Sequence, residues 1–157
     1  MLPDNWILAH RDVVEIEPIG KGRPRTVRRG RYSHTYTPEK TKRFEEKLAF
    51  ILRGKLSVRT PPVAKAGQPV MVSILAVHSR PKNMYRAADP PGLMWKCTRP
   101  DADNIGKACC DAIEKAGNII DNDAQIVLIE VGKAYAEKDG KARIEIEIFT
   151  LAEDSEQ

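Results

Sequence analysis

The run Gln68-Pro-Val-Met-Val-Ser-Ile-Leu-Ala-Val-His78 is apolar at nearly every position, a pattern expected of a central strand covered on both faces. Such a strand needs neighbours on two sides and helices to roof it, and the rest of the chain offers both. Residues 12–17 read as a first strand, ended by Pro18, Gly20 and Gly22. Residues 38–53 carry Phe44, Leu48, Ile51 and Leu52 at helical spacing; Thr37 is the expected cap, Pro38 opens the first turn, Glu39 suits the positive end of the dipole and Gly54 stops the run. A second helix starts at Asp103, its expected N-cap, lays Ile105, Ala108, Cys109, Ala112, Ile113 and Ala116 on one face, and ends at Gly117. Residues 125–131 and 142–149 read as a hairpin around a turn at 138–140. Its second strand alternates strictly, Ile144, Ile146 and Ile148 inward and Glu145 and Glu147 outward. The expectation is a single α+β domain over residues 1–157, with a mixed sheet flanked by helices and a frayed tail over 151–157.

Several classes of function are disfavoured. Three cysteines, Cys97, Cys109 and Cys110, form no Cys-x-x-Cys pair, so neither a disulfide framework nor a thiolate zinc site is suggested, and a reducing cytoplasm is the expected compartment. The amino terminus lacks the pattern of a secretory signal, and no apolar run reaches the roughly 18 residues that span a bilayer. Neither a membrane nor a small-molecule cofactor is expected as a partner. Cysteine–histidine catalysis fits poorly, since Cys109 falls on the apolar helix face.

Charge is segregated along the chain. Residues 20–59 hold 13 of the 26 Lys and Arg against three acids, whereas residues 101–157 hold 14 acids against six bases. The basic arm, about 20–36, can hold a polyanion while the acidic part binds a cation. Within the acidic part, Asp101 and Asp103 flank the start of the second helix, Lys107 lies one turn beyond Asp103, and Asp121 and Asp123 lie in the turn that leads back to a strand. Carboxylates brought together repel, and a divalent cation relieves that repulsion. Magnesium suits oxygen ligands shared with a phosphate, manganese is the alternative, and the residues leave open whether one ion or two would act. A calcium-loop reading of Asp101-Ala-Asp-Asn-Ile-Gly106 fails, because Ile105 and Ala112 stand where ligands belong. A plainer alternative stays open: Asp103 as no more than a helix cap and Asp121-Asn-Asp123 as no more than a turn. The chain would then be a basic nucleic-acid-binding protein without catalysis.

The combination Arg99-Pro-Asp-Ala-Asp-Asn104, Lys107, Cys110-Asp-Ala-Ile113, Gly117, Asp121-Asn-Asp-Ala-Gln-Ile126 and Lys133 resembles the RusA family of Holliday junction resolvases, common in phages and prophages. Lys21-Gly-Arg-Pro-Arg25 and Tyr36-Thr-Pro-Glu-Lys-Thr41 are also similar to that family, so the resemblance covers residues from about 16 to 148. It implies a dimeric, magnesium-dependent endodeoxyribonuclease acting on four-way DNA junctions in recombination and repair. Flap DNA and RNA are the other substrates for a nuclease of this kind. By the same resemblance Asp101, Asp103 and Asp123 are the metal-binding catalytic acids, with Asp121 as the alternative third acid, and Lys107 is the catalytic lysine. Asn122 between Asp121 and Asp123 departs from the paired acids common in the family. Lys21, Arg23, Arg25, Arg28, Arg29 and Arg31, with Lys96 and Arg99, are the expected DNA-binding residues, reading phosphate rather than sequence. A proline-rich irregular segment spans 79–98, and its part 79–95 is longer than the resemblance suggests.

Overall fold

In the computed structural model, which describes residues 5–56 and 62–152, β1 (Trp6–Val14) is followed by a ribbon of β2 (Arg25–Arg29) and β3 (Tyr32–Tyr36), then α1 (Glu39–Lys55) and β4 (Val70–His78). The two-residue β5 (Met94–Trp95), α2 (Ala102–Ala116), β6 (Ile126–Tyr135) and β7 (Arg143–Leu151) complete the domain. The main sheet is ordered β1-β7-β4-β6-β5, with β4 parallel to β6 and antiparallel to β7. It is the mixed α+β sheet that the alternating elements predicted.

The apolar run is central, as expected, and its centrality breaks another expectation. β6 and β7 are not a hairpin, because β4 lies between them and bonds to both. A strand this apolar is buried best with a partner on each edge, and the connection from β6 to β7 passes its end to allow that. Among the described residues helices roof only one face, not both as expected. Val70, Val72, Ile74 and Ala76 of β4 and Ile144, Ile146 and Ile148 of β7 share one buried cluster with Phe44, Leu48 and Leu52 of α1 and Ile105, Ala108 and Ile113 of α2. Each of the larger side chains there contributes roughly 1.5–3 kcal/mol by leaving water. Met71, Ser73 and Leu75, pointing the other way, are only half-buried.

Other boundaries shift for local reasons. The first strand starts at Trp6 and stops at Val14, with a bulge between Leu8 and His10 that interrupts its alternation. Leu151, expected to fray, pairs with Trp6, and residues 153–157 of the expected tail lie outside the described ones. α1 begins after Pro38 rather than under a Thr37 cap, and no side chain caps it; Glu39 instead pairs with Arg43 at 2.9 Å. The segment 79–98 is organised around buried Arg80, whose guanidinium donates to the carbonyls of Met84, Pro90, Gly92 and Ala136 at 2.5–3.2 Å. A buried guanidinium needs its donors satisfied, and a folded-back loop supplies the acceptors. Among the described residues no helix is long and apolar enough to cross a membrane.

Candidate active site

α2 positions the acidic motif. Arg99–Pro100 is a cis peptide, and Asp101 follows it as the N-cap of α2, in place of the expected Asp103. Its backbone carbonyl accepts from Ile105 at 3.1 Å, but its carboxylate makes no capping bond, so both side-chain oxygens remain available. Asp103 sits inside the first turn, where the helix dipole favours an anion, and its Oδ2 accepts from Lys107 Nζ at 3.3 Å. Neither aspartate is occupied as a helix cap. The first turn is set close to the sheet by Gly106, where an added Cβ would stand 2.9 Å from Val131 Cγ2. Any larger residue there would push Asp103 and Lys107 outward.

The segment leading to the ribbon crosses this turn. Lys21 N donates to Asn104 O at 2.9 Å and Gly22 N to Thr41 Oγ1 at 3.0 Å, and Gly20 passes so near Pro100 that a Cβ would meet it at 2.7 Å. The crossing, with Lys21 and Gly22, forms one wall of an open cleft of about 480 Å³ that is also lined by Arg23, Pro24, Asp101, Asp103, Asn104 and Lys107. Two carboxylates, Lys107 and Arg23 thus border one open space, with Lys21 at its edge. The Lys21 ammonium turns away from the arm. It is hydrogen-bonded to Asp111 and lies 4.0 Å from the nearly fully buried Glu45, which Lys115 holds at 2.6 Å. The hydrogen bond to Asp111 is the main reason its pKa is raised. A phosphate contact by Lys21 would have to break this pairing, whereas Arg23, Arg25, Arg28, Arg29 and Arg31 are exposed.

The third acidic position is built differently. Between α2 and β6, Asn122 caps a short turn by accepting from Ala124 N at 2.8 Å, while the side chain of buried Gln125 accepts from the backbone of Asp121 and Asn122 and donates to the carbonyls of Lys65 and Gln68. Asn122 and Gln125 therefore hold the turn, and the carboxylates of Asp121 and Asp123 accept no hydrogen bond among the described residues. Asp123 lies beside the second half of α2, its N–H aimed at Glu114 at 3.4 Å. With burial and Asp111, its charge pushes the Cys110 thiol up to about 11. Cys110 is two helical turns, roughly 10 Å, along α2 from Asp103. Among the described residues no three acid, histidine or cysteine side chains are gathered as a metal's ligands. Asp101 and Asp103 nevertheless fit magnesium, which is commonly held by one or two carboxylates, several waters and a phosphate. They are exposed, lie two residues apart at a helix start, and line the same cleft.

A model of the family described as endodeoxyribonuclease RusA matches residues 15–148. The chain belongs to the RusA family. It is also 30% identical over 138 residues to the Bacillus subtilis (strain 168) protein named "Uncharacterized protein YqaN", covering 84% of this chain and 89% of that one. The match spans the crossing segment, the ribbon, both helices and the sheet from β4 onward, so it covers every element that shapes the cleft.

Within this RusA fold Lys96, expected to bind phosphate, and Lys133 both donate to oxygens of the protein itself. Lys96 Nζ donates to Thr98 Oγ1 at 2.6 Å and lies 5.0 Å from the centre of the Tyr135 ring. Lys133, from β6, was missed as a site residue. Its Nζ donates to Thr98 O at 2.8 Å and to Pro100 O at 2.9 Å, and it thereby holds the segment that leads into Asp101. Only its place in the motif hinted at this, because a lysine spaced 30 residues downstream carries no local signal. Arg99 is exposed and, with Asp101 and Asn104, lines a second shallow recess beside the first.

Proposed function

We propose that this RusA-family chain is a magnesium-dependent endonuclease that resolves four-way DNA junctions by paired, symmetric hydrolysis of phosphodiesters, in recombination and repair. The observation that carries the reading is the shared cleft of Asp101, Asp103, Lys107 and Arg23, an arrangement suited to a scissile phosphate. Asp101 and Asp103 would hold magnesium, or manganese, which when bound supplies a polarised phosphoryl oxygen and an activated water. Lys107 then places positive charge where the pentavalent phosphorus gathers negative charge. It lines the same cleft and donates to Asp103 at 3.3 Å. Arg23 neutralises a neighbouring phosphate, and Lys133 keeps Asp101 in register by holding the Pro100 carbonyl. Asp123, or Asp121 across the same turn, is the third acid in this proposal, and would join Asp101 and Asp103 only on binding the cation, since the three are not gathered among the described residues.

Two cuts in strands of like polarity call for two sites related by a twofold axis, hence a homodimer. Among the described residues only Trp95 and Met94 pair with the outer edge of β6, at Ala134 and Tyr135. Val127, Leu128 and Ile129 are left exposed at an open edge. An apolar open edge is a template for strand pairing, and β6 of a second copy is the partner we propose.

The test is side-by-side digestion of a labelled four-way junction, a flap, plain duplex and structured RNA. Symmetric nicks in the junction alone, dependent on magnesium, are the expected result. Faster cutting of flap or RNA would replace the substrate, and binding without cutting in every lane would remove the catalysis.

A further inference from the structure

The β2–β3 ribbon carries more than charge. Its register places Arg25 opposite Tyr36, Val27 opposite His34 and Arg29 opposite Tyr32. Alternate pairs share a face, so Tyr32, His34 and Tyr36 stand in one row with Arg25 and Arg29 beside them. The other face holds Thr26, hydrogen-bonded to Thr35 at 3.0 Å, with Arg28 and Ser33. The aromatic residues Tyr32, His34 and Tyr36, with Val27, Arg29 and Ser33, border an open hollow of about 390 Å³, and the His34 and Tyr36 rings lie within 13° of parallel, 6.5 Å apart. None of these rings packs into the core. Tyr32 is 84% exposed and all ten strand residues of the ribbon are exposed. A two-stranded ribbon gains little by displaying three bare rings to water, so their use lies in what they meet.

We propose that this face is a stacking platform for unpaired DNA bases, which takes the bases that come free at a branch point while its arginines hold the adjoining phosphates. The inference rests on the reading of the chain as a DNA-acting enzyme and adds the part of the substrate the ribbon recognises. Three features favour bases over other occupants. Flat rings in a row match the π faces of successive bases, which a fully stacked duplex hides. Guanidinium groups on the same face match the backbone between them. No acidic residue occurs between Gly20 and Pro38, so the ribbon's field suits a polyanion and disfavours an acid-paired protein surface. Placement agrees as well. Arg23 and Pro24 line the cleft, the ribbon starts at the next residue, and Tyr32 stands about 13 Å farther out than Tyr36. Bases released near the cut would reach the row directly.

The experiment measures affinity of the full chain, in EDTA so that nothing is cut, for oligothymidine, an abasic strand of equal length, a four-way junction and plain duplex. Wild type should prefer oligothymidine to the abasic strand by roughly ten- to a hundredfold, the range for stacked bases. The double variant Tyr32→Ser with Tyr36→Ser should lose that preference and weaken junction binding, with duplex binding changed less than about twofold. Tyr32→Leu, which keeps apolar bulk without a ring, should behave like Tyr32→Ser. The platform is overturned by equal affinity for native and abasic strands, by equal loss on every ligand, by rescue with leucine, or by no binding at all. It is also overturned if the tyrosine variants leave DNA binding alone and instead dissociate an oligomer in sedimentation, which would make the face a protein interface. Junction cleavage by wild type, run in parallel with magnesium, judges the nuclease reading separately: intact cleavage with no base preference sinks the platform alone.

Discussion

The first turn of α2 and the β2–β3 ribbon meet at Arg23 and Pro24, yet they are built in opposite ways. Behind Asp103 and Lys107 stand Ile105, Ala108 and Cys109, all fully buried, and a glycine contact with β6 that leaves no room for a methyl group. In the ribbon, by contrast, every residue of both strands is exposed. Groups that must be placed within fractions of an ångström for phosphoryl chemistry sit on an element packed against the core. Groups suited to following a long, variable backbone sit on an exposed one. The cleft should therefore govern turnover and the ribbon affinity, and substitutions can break that division.

The largest effect is expected at the acids. Asp101→Asn or Asp103→Asn should lower cleavage at least about a thousandfold while the junction is bound as well or better, because a negative charge near DNA is lost. Melting temperature should barely change, since both side chains are exposed. Unfolding of either variant would instead make the aspartate structural. Lys107→Ala should follow, with kcat down about a hundred- to a thousandfold at saturating junction. Lys133→Met comes next: releasing the Thr98 and Pro100 carbonyls should cost about ten- to a hundredfold in kcat, with KM little changed and partial rescue by arginine. On the ribbon, Arg25→Ala with Arg29→Ala should weaken junction and duplex alike and flatten the salt dependence by about one unit per arginine, with kcat at saturation unchanged. A fall in kcat there would erase the distinction between the two regions.

The smallest effect concerns the sheet that carries both. His78, at the end of β4, is buried, and burial is the main reason its pKa is lowered; Lys96 and Lys133 act in the same direction and Glu17 opposes. The unfolded chain therefore takes up a proton, near the ordinary value of about 6.5, before the folded chain does. Stability present above that pH should decline as pH falls below it. His78→Gln should flatten that decline in thermal melts between about pH 7.5 and 5.5.

Much of this was legible in the residues, and the exceptions share a cause. The inward isoleucines of β7, the extent of α2 to its left-handed Gly117 cap and the apolar centre of the sheet follow from local periodicity. Separation of β6 from β7 does not, because strand order is decided by which edges β4 must satisfy. The start of β1 was hidden by a bulge, and the cap of α2 fell on Asp101 rather than Asp103, a shift of two residues that frees Asp103 for the cleft. Proximity of Asp101, Asp103 and Lys107 was readable from helical spacing, but the inward turn of Lys21 to Asp111, 90 residues away, was not. Nor was the role of Lys133. In both cases a long-range partner determines the role of a residue that looks like any other surface cation.

One measurement bears most directly on the division between cleft and ribbon: cleavage and binding of the same labelled four-way junction by wild type and Asp103→Asn, each with magnesium and with EDTA. The account predicts paired, symmetric nicks for wild type with magnesium alone, and undiminished binding without nicks in the other three conditions. Cleavage by Asp103→Asn at the wild-type rate, or loss of its binding together with its cleavage, would contradict it.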